Sequence, residues 1–207
     1  MAKLGRPLAM KVEDRRKEIF NIAEQLFGEK GFENVTMSEI ASETGMSKKT
    51  LYVYFKDKKE LLKDLILSSY IWEESALPEQ NLSAIQLLKY RLKVCAEHVL
   101  SDRHIKLCRL AISESIGIEG LSDTFYEIGI SKSRDHLIEA IQKIEKNHYK
   151  IHLSAEILAD MLFGASIAKP FIDTLMVGEK INFDEIFIKI EQTLDALFVS
   201  SSTNLAG

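Results

Sequence analysis

The chain contains 207 residues, of which 46% are hydrophobic and 28% are charged, and these proportions exclude a largely disordered polar chain. The formal net charge is −4, but residues 1–64 carry 13 basic against 11 acidic side chains, whereas the remaining residues carry 14 against 20. This balance does not exclude nucleic acid as a partner, because a phosphate-binding surface is local and the basic excess lies at the N-terminus.

The sequence predicts neither a secretion signal nor a membrane span. Gly5 and Pro7 interrupt the first ten residues, and nowhere do about 18 apolar residues follow one another without a charge. The two cysteines, Cys95 and Cys108, are too few for a disulfide framework and suit a reducing compartment. We therefore expect a cytoplasmic protein with no membrane partner.

The first two predicted helices have clear local boundaries. Apolar residues recur at three- and four-residue intervals from Ile19 to Phe27 and predict a first helix that ends near residue 28. Thr36 and Glu39 have the spacing of a capping box and predict the start of a second helix. Gly45 suits a tight helix exit, because glycine readily adopts positive φ.

The third and fourth helices follow directly. Ser47 is suited to cap a third short helix that runs through Phe55. Asp57 and Glu60 form a second capping box and predict a fourth helix that extends toward Trp72. This fourth helix is expected to bridge two halves of the molecule.

The rest of the chain is also helical by pattern, so the predicted fold is all-α. Only three prolines and ten glycines interrupt the whole sequence, which favours long helices over many short strands. We expect a bend at Pro170, since proline removes one internal hydrogen bond. The later helices are predicted at about 83–100, 103–117, 122–147, 154–177 and 184–199.

The second and third helices, joined by a tight turn containing glycine, have the organisation of a helix-turn-helix. On the third helix, Leu51 and Phe55 are four residues apart and can face the core, which leaves Lys48, Lys49 and Tyr52 on the opposite side. Lysine can donate to guanine edges or phosphates, and tyrosine hydroxyls commonly hold phosphate oxygens. The pattern therefore predicts that the third helix binds double-stranded DNA.

An ordered string of core, turn and capping residues lies between Arg15 and Lys63. It comprises Ile22-Ala23, Leu26-Phe27, Gly31-Phe32, Val35-Thr36-Met37, Ile40-Ala41, Gly45-Met46-Ser47, Leu51-Tyr52-Val53-Tyr54-Phe55 and Lys58-Lys59-Glu60-Leu61. This string resembles the DNA-binding domain of the TetR family of transcriptional regulators. Farther along, residues 109–114 and Phe125-Tyr126 resemble the AefR-like branch.

The resemblance implies a transcriptional repressor that binds a palindromic operator as a homodimer and is released by a small-molecule effector, with no enzymatic activity, cofactor or metal. Its implied domains are a flexible basic arm (1–11), a helix-turn-helix DNA-binding domain (12–57), a helical effector-binding and dimerisation domain (58–199) and a polar tail (200–207). The implied DNA-contacting residues are Thr36, Ser47, Lys48, Lys49, Thr50, Tyr52, Tyr54 and Lys58.

Two further sites are predicted in the larger domain. The last two helices are apolar on more than one face, so one face can pack on its own chain and another on a partner. The predicted dimer residues are Ile157, Met161, Gly164, Ile167, Phe187, Ile190, Leu194 and Phe198. The effector pocket, chosen from apolar residues of the middle helices with the resemblance as guide, is predicted at Trp72, Leu88, Leu92, Leu107, Ile112, Phe125, Tyr126 and Met161.

The cysteines and histidines of the middle helices offer an alternative to this interpretation. Cys95, His98, His104 and Cys108 are four potential ligands, so a metal- or redox-responsive regulator that uses the two cysteines is the alternative, although both cysteines also suit a helix core. Motifs of common enzyme classes are missing from the sequence, and a helical protein-interaction module would leave the basic face of the third helix unexplained.

Overall fold

The computed structural model describes residues 11–70 and 82–199. Within these two segments the chain forms helices and no β-strand, which confirms the all-α prediction. The basic arm up to residue 10, Trp72 and the predicted tail lie outside the described residues. None of the helices in these segments is long and apolar enough to cross a membrane.

Eleven α-helices account for most of the two segments. They are α1 (Val12–Lys30), α2 (Met37–Glu43), α3 (Lys48–Tyr54), α4 (Lys58–Ser69), α5 (Ala84–Val99), α6 (Asp102–Glu114), α7 (Leu121–Phe125), α8 (Lys132–Gln142), α9 (Ala155–Phe163), α10 (Lys169–Val177) and α11 (Phe183–Leu197). A short 3-10 helix, Lys146–His148, follows α8.

Side-chain caps fix the starts of the short N-terminal helices. The Thr36 hydroxyl accepts a hydrogen bond from the Glu39 N–H at 3.2 Å, and the Ser47 hydroxyl accepts one from the Thr50 N–H at 3.0 Å. Between these two caps the chain turns at Gly45, whose φ of 65° lies in the left-handed region that favours glycine. The local signals in the sequence therefore position α2 and α3 as predicted.

Two hydrophobic cores hold the helices together. The first joins α1–α4 to α6 and α7 and includes Leu51, Leu62 and Leu65, which are fully buried. The second joins α5, α8, α9 and α11 around residues such as Leu88 and Ile190. Because α4 contributes to the first core, the packing of the N-terminal unit continues beyond the predicted domain boundary at residue 57.

The helices α7 and α8 form one continuous helical rod, and so do α9 and α10. Each rod contains a widened π-helical turn that the sequence pattern did not indicate. Tyr126–Ser131 joins α7 to α8, and Gly164–Ala168 joins α9 to α10. The second turn directly precedes Pro170, whose missing N–H could not extend a regular helical ladder. The first rod ends at Gln142, so the predicted extension of this helix to residue 147 is wrong.

Candidate nucleic-acid interface and ligand cavity

The outer face of α3 is the most prominent polar surface of the helix-turn-helix. Leu51 is buried, whereas Ser47, Lys48, Lys49 and Thr50 are exposed. Tyr52 is 45% exposed, and the Lys48 Nζ atom lies 5.9 Å from the centre of its ring. The structure thus leaves four charged or hydroxyl-bearing side chains exposed at the start of a capped helix and places the Tyr52 ring beside Lys48.

Val53 also belongs to this surface, although it was not among the predicted site residues. Its side chain is 79% exposed, directly after Tyr52. An exposed valine on a helix whose other face is buried offers an apolar contact of the kind that reads thymine methyl groups. The helical periodicity that placed Leu51 and Phe55 inward could have identified it.

Thr36 and Tyr54 lie at the edges of the same surface. Thr36 is exposed, but its hydroxyl is already used as the cap of α2. Tyr54 is half-buried and packs against the first core. Thr36 thus belongs to the start of α2, and Tyr54 is the last residue of α3.

Lys58 is placed differently from its predicted role. Its ammonium group donates to the Phe32 carbonyl at 2.5 Å and to the Glu33 carbonyl at 3.2 Å, and it lies 4.2 Å from the centre of the Phe32 ring. These contacts tie the start of α4 to the turn between α1 and α2. These contacts give Lys58 a structural role in the free protein, and its predicted phosphate contact stays a prediction.

Polar contacts connect α4 to both halves of the molecule. Arg16 donates to the Asp64 carboxylate at 2.6 Å and stacks 4.6 Å above the Phe55 ring, which joins α1, α3 and α4. On the other side, the Lys59 ammonium donates to the Gly117 carbonyl at 2.9 Å, and Lys63 donates to the Glu119 carbonyl. A displacement of α4 would consequently change the position of the helix-turn-helix relative to α6 and α7.

A cavity of about 450 Å³ lies in the larger helical unit. Tyr70, the residue that follows α4, forms part of its wall. The complete lining is Tyr70, Cys95, Val99, His104, Cys108, Ile112, Phe125, Gly129, Ile130, Ser133, Arg134, Leu137, Ala159, Asp160, Phe163, Gly164, Phe171 and Leu175.

The predicted pocket residues fall into three groups. Ile112 and Phe125 line the cavity. Leu88, Leu92 and Leu107 do not, because they are buried in the two cores. Tyr126 and Met161 are 57% and 39% exposed and lie outside the lining. The residues that sequence reasoning missed include Phe163 and Phe171, because apolar spacing does not distinguish a cavity wall from a core.

Tyr70 is held between three aromatic rings. The ring centres of His98, His104 and Phe125 lie 5.9, 5.2 and 5.7 Å from that of Tyr70, the last two edge-on. Burial raises the pKa of the Tyr70 hydroxyl well above its usual range, with a smaller contribution from Cys108. Tyr70 therefore stays neutral at physiological pH and links α4 to the cavity through packing.

Gly129, in the widened turn before α8, permits this packing. A Cβ atom at position 129 would lie 2.6 Å from Tyr70 Cζ, closer than real Cβ contacts allow. We expect Gly129→Ala to lower the free energy of unfolding by about 1–3 kcal/mol through overpacking, whereas Gly28→Ala in α1, where nothing lies within 4 Å, should be neutral or stabilising.

Urea unfolding of the two glycine variants, of Tyr70→Leu and of Tyr70→Leu/Gly129→Ala measures this effect. The double variant should lose less stability than the two single substitutions together, since removing the ring relieves the clash. Additive losses would show that Gly129 acts independently of Tyr70.

The two cysteines line the cavity as free, buried thiols. Burial raises the pKa of both Cys95 and Cys108 to about 12. Among the described residues, groups of three or more histidine, cysteine or acidic side chains that could hold a metal ion are also missing. Neither finding favours the redox- or metal-responsive alternative.

Thiol reactivity provides a test of that alternative. Because the thiolate is the reactive form, we expect the native protein to react with iodoacetamide at neutral pH at least about 100-fold more slowly than the unfolded chain. Mass spectrometry of alkylated protein gives the rates. Rapid labelling, or a Cys95–Cys108 disulfide after mild peroxide treatment, would favour the redox alternative.

The predicted dimer residues are divided between core and surface. Ile167, Ile190, Leu194 and Phe198 are buried within their own chain. These four cannot form an exposed interface, because their helix faces pack into the second core. By contrast, Ile157, Met161 and Gly164 are exposed and Phe187 is half-buried.

Ile188 was not among the predicted dimer residues, but its side chain is 54% exposed on α11. The buried residues Ile186, Ile190 and Leu194 recur every four positions and define the inward face of this helix. Since Ile188 lies midway between two of them in sequence, it points to the other side. The exposed apolar surface therefore includes α9 and the outer side of α11.

Comparisons with known proteins agree with this geometry. Residues 19–65, which cover most of α1 and the helix-turn-helix, match the model of the bacterial regulatory proteins of the tetR family. A helix-turn-helix-type transcriptional regulator of Staphylococcus aureus is 28% identical over 124 residues, which is 56% of this chain and 67% of that protein.

Solved structures share the whole fold. A TetR-family regulator of Mesorhizobium loti superposes with a TM-score of 0.75 at 22% identity, covering 90% of this chain and 96% of its own. A transcriptional regulator of Saccharomonospora viridis, solved in complex with choline, has a TM-score of 0.67 at 18% identity and covers 91% of this chain and all of its own.

The fold, the exposed face of α3 and these similarities define a DNA-binding helix-turn-helix regulator with a helical C-terminal unit, which is a non-enzymatic class of protein. Residues 19–65 form a DNA-binding domain of the TetR family of bacterial regulatory proteins, and the rest of the chain shares its fold with solved regulators of that family.

Proposed function

We propose that the protein is a homodimeric repressor, acting in the cytoplasm, that binds a palindromic operator and is released by a small molecule held in the cavity. The observation that carries this proposal is the position of Tyr70. It borders the cavity and directly follows α4, whose buried residues share the first core with those of the helix-turn-helix. A ligand in the cavity would thus contact the end of the helix that supports α3.

The proposed DNA-contacting surface consists of the exposed residues of α3 and its edges. Lys48 and Lys49 supply positive charge, and the Tyr52 hydroxyl and ring can reach a phosphate or a sugar. Thr50 and Val53 offer the side chains suited to base edges in the major groove. The full proposed set is Thr36, Ser47, Lys48, Lys49, Thr50, Tyr52, Val53 and Tyr54.

Dimerisation is proposed through α9 and α11. Ile157, Met161 and Gly164 follow one another at spacings of four and three residues, which aligns them on one side of the rod. Packed against their symmetry mates together with Phe187 and Ile188, they would form an intersubunit four-helix bundle. A two-fold dimer would present two α3 helices to half-sites about 34 Å apart.

Release requires the ligand to change the distance between the two α3 helices. Pressure on Tyr70 would displace α4, and Arg16, bonded to Asp64 and stacked on Phe55, would carry that displacement to α1 and α3. Coupling of this kind is typically worth about 1–3 kcal/mol, enough to lower operator affinity by roughly 5- to 150-fold. We place the functional division within α4.

Repression is tested in the native host by combining two measurements. Chromatin immunoprecipitation of the full-length protein identifies the promoters that it occupies. Transcripts from these promoters are then compared between the wild type and a deletion strain. We expect them to rise in the deletion strain, whereas a fall would identify an activator. Occupancy that does not depend on Lys48 and Lys49 would overturn the proposed DNA surface.

A further inference from the structure

We propose that the cavity binds an uncharged, largely apolar molecule that carries one hydroxyl group, and that His104 recognises this hydroxyl. The proposal rests on the proposed function, because it names the chemical class of the effector that would act on Tyr70. It depends on the polar groups that border the cavity and on which of them already have partners.

His104 is a polar residue with an unsatisfied nitrogen in a largely apolar wall. Its side chain is 5% exposed and borders the cavity, and Nδ1 has no hydrogen-bond partner in the part of the chain that the structure describes. A buried polar atom without a partner is costly, and most native proteins satisfy such atoms. Nδ1 itself has almost no accessible surface, so a ligand in the cavity would supply this hydrogen bond once the imidazole ring turns toward it.

The chemistry of this bond is set by the charge state of His104. Burial lowers the pKa of the imidazole to about 4, and the nearby His98 lowers it further. The neutral ring has one N–H donor and one acceptor nitrogen, and a hydroxyl group can pair with either. A carboxylate could pair only with the donor, and an ammonium group only with the acceptor.

The charged side chains among the other lining residues are paired with each other. Arg134 and Asp160 form a bidentate pair with contacts of 2.7 and 3.0 Å. Both cysteines are protonated, and the Ser133 hydroxyl already donates to the Gly129 carbonyl at 2.5 Å. A charged ligand group would lose its hydration without finding an unpaired counter-charge among the described lining residues.

The size of the cavity and the aromatic rings in its wall favour an aromatic ligand. Its volume of about 450 Å³ lies within the usual range for small-molecule sites. The rings of Tyr70, Phe125, Phe163 and Phe171 border it. A two-ring scaffold can lie against these side chains while one end reaches His104.

Four probes that share a biphenyl scaffold test the ligand class. They are para-phenylphenol, para-methylbiphenyl, para-phenylbenzoate and para-phenylbenzylammonium. Each is titrated into the full-length protein by calorimetry without DNA. The phenol should bind about tenfold more tightly than its methyl analogue, the gain expected for one hydrogen bond. It should bind at least about 100-fold more tightly than either ion.

Variants at His104 test the recognition itself. His104→Phe keeps a ring beside Tyr70 but removes both nitrogens, so the preference for the hydroxyl over the methyl group should disappear while para-methylbiphenyl still binds. His104→Gln restores a donor and an acceptor and should recover part of the preference. His152→Phe, at an exposed histidine outside the cavity lining, is the matched control and should behave like the wild type.

Three results would overturn the proposal: an ion that binds as tightly as the phenol, a hydroxyl preference that survives in His104→Phe, or no binding by any probe. If His104→Phe does not fold, the comparison of the four probes with the wild type still decides the ligand class. These titrations contain no DNA, so a negative result would contradict the proposed ligand class without bearing on operator binding. A failure to bind the operator would likewise leave the result of the titrations unchanged.

Discussion

Replacing Lys48 and Tyr52 together by alanine is expected to lower the affinity for operator DNA at least about 100-fold. Each side chain is exposed on α3, and neither contributes to the core of the helix-turn-helix. Loss of a single base or phosphate contact typically costs about 1–3 kcal/mol, and a dimer loses each contact twice. Fluorescence anisotropy with labelled operator across a salt series measures the change.

The control for this experiment uses the same residue types elsewhere. Tyr126 and Lys132 are exposed on the α7–α8 rod, so Tyr126→Ala/Lys132→Ala changes composition and net charge equally. We expect this control to bind DNA like the wild type, and both variants to keep the wild-type thermal midpoint. Equal losses of affinity in the two variants would indicate a general charge effect and contradict the role assigned to α3.

Acidification is expected to destabilise the wild-type protein more than His104→Phe. The unfolded chain protonates this histidine near pH 6.5, whereas burial lowers its pKa in the folded state to about 4. The unfolded state therefore binds more protons between these values, and the free energy of unfolding falls as the pH decreases through this interval. The difference in stability between the wild type and the variant should change by up to about 3 kcal/mol between pH 7 and pH 4.

Urea unfolding at several pH values tests this linkage. Carboxylates such as Asp160, whose pKa is lowered mainly by its hydrogen bond with Arg134, also lose their contribution in acid, but they do so in both proteins. His152→Phe, at an exposed position, should follow the wild-type curve. Stability curves of the wild type and His104→Phe that stay parallel from pH 7 to pH 4 would show that His104 is not protected from protonation.

The helix-turn-helix could be predicted from sequence because its boundaries depend on neighbouring residues. The Thr36 and Ser47 hydroxyls cap helices that begin one residue later, and Gly45 provides the positive φ between them. Leu51 is buried as its spacing from Phe55 predicts. Signals of this kind act over three or four residues, so they do not depend on the rest of the fold.

The cavity and the outer surface of the last helices could not be predicted in the same way. Leu88 and Phe163 are both apolar helix residues, but only the second borders the cavity, because that depends on how distant helices pack. Likewise, Ile190 and Ile188 both suit an interface by composition, yet the first is buried in its own chain. The contacts of Lys58 with the Phe32 turn are likewise not evident from local spacing.

Selection of DNA from a random library by the full-length protein tests the central claim most directly. The number of protomers on the enriched duplex is then determined by native mass spectrometry. A dimer with two outward α3 helices predicts a palindromic consensus with half-sites about one helical turn apart and two protomers, or a multiple of two, on each duplex. A consensus without two-fold symmetry, a single protomer per duplex, or no enrichment at all would contradict the proposal of a dimeric operator-binding regulator.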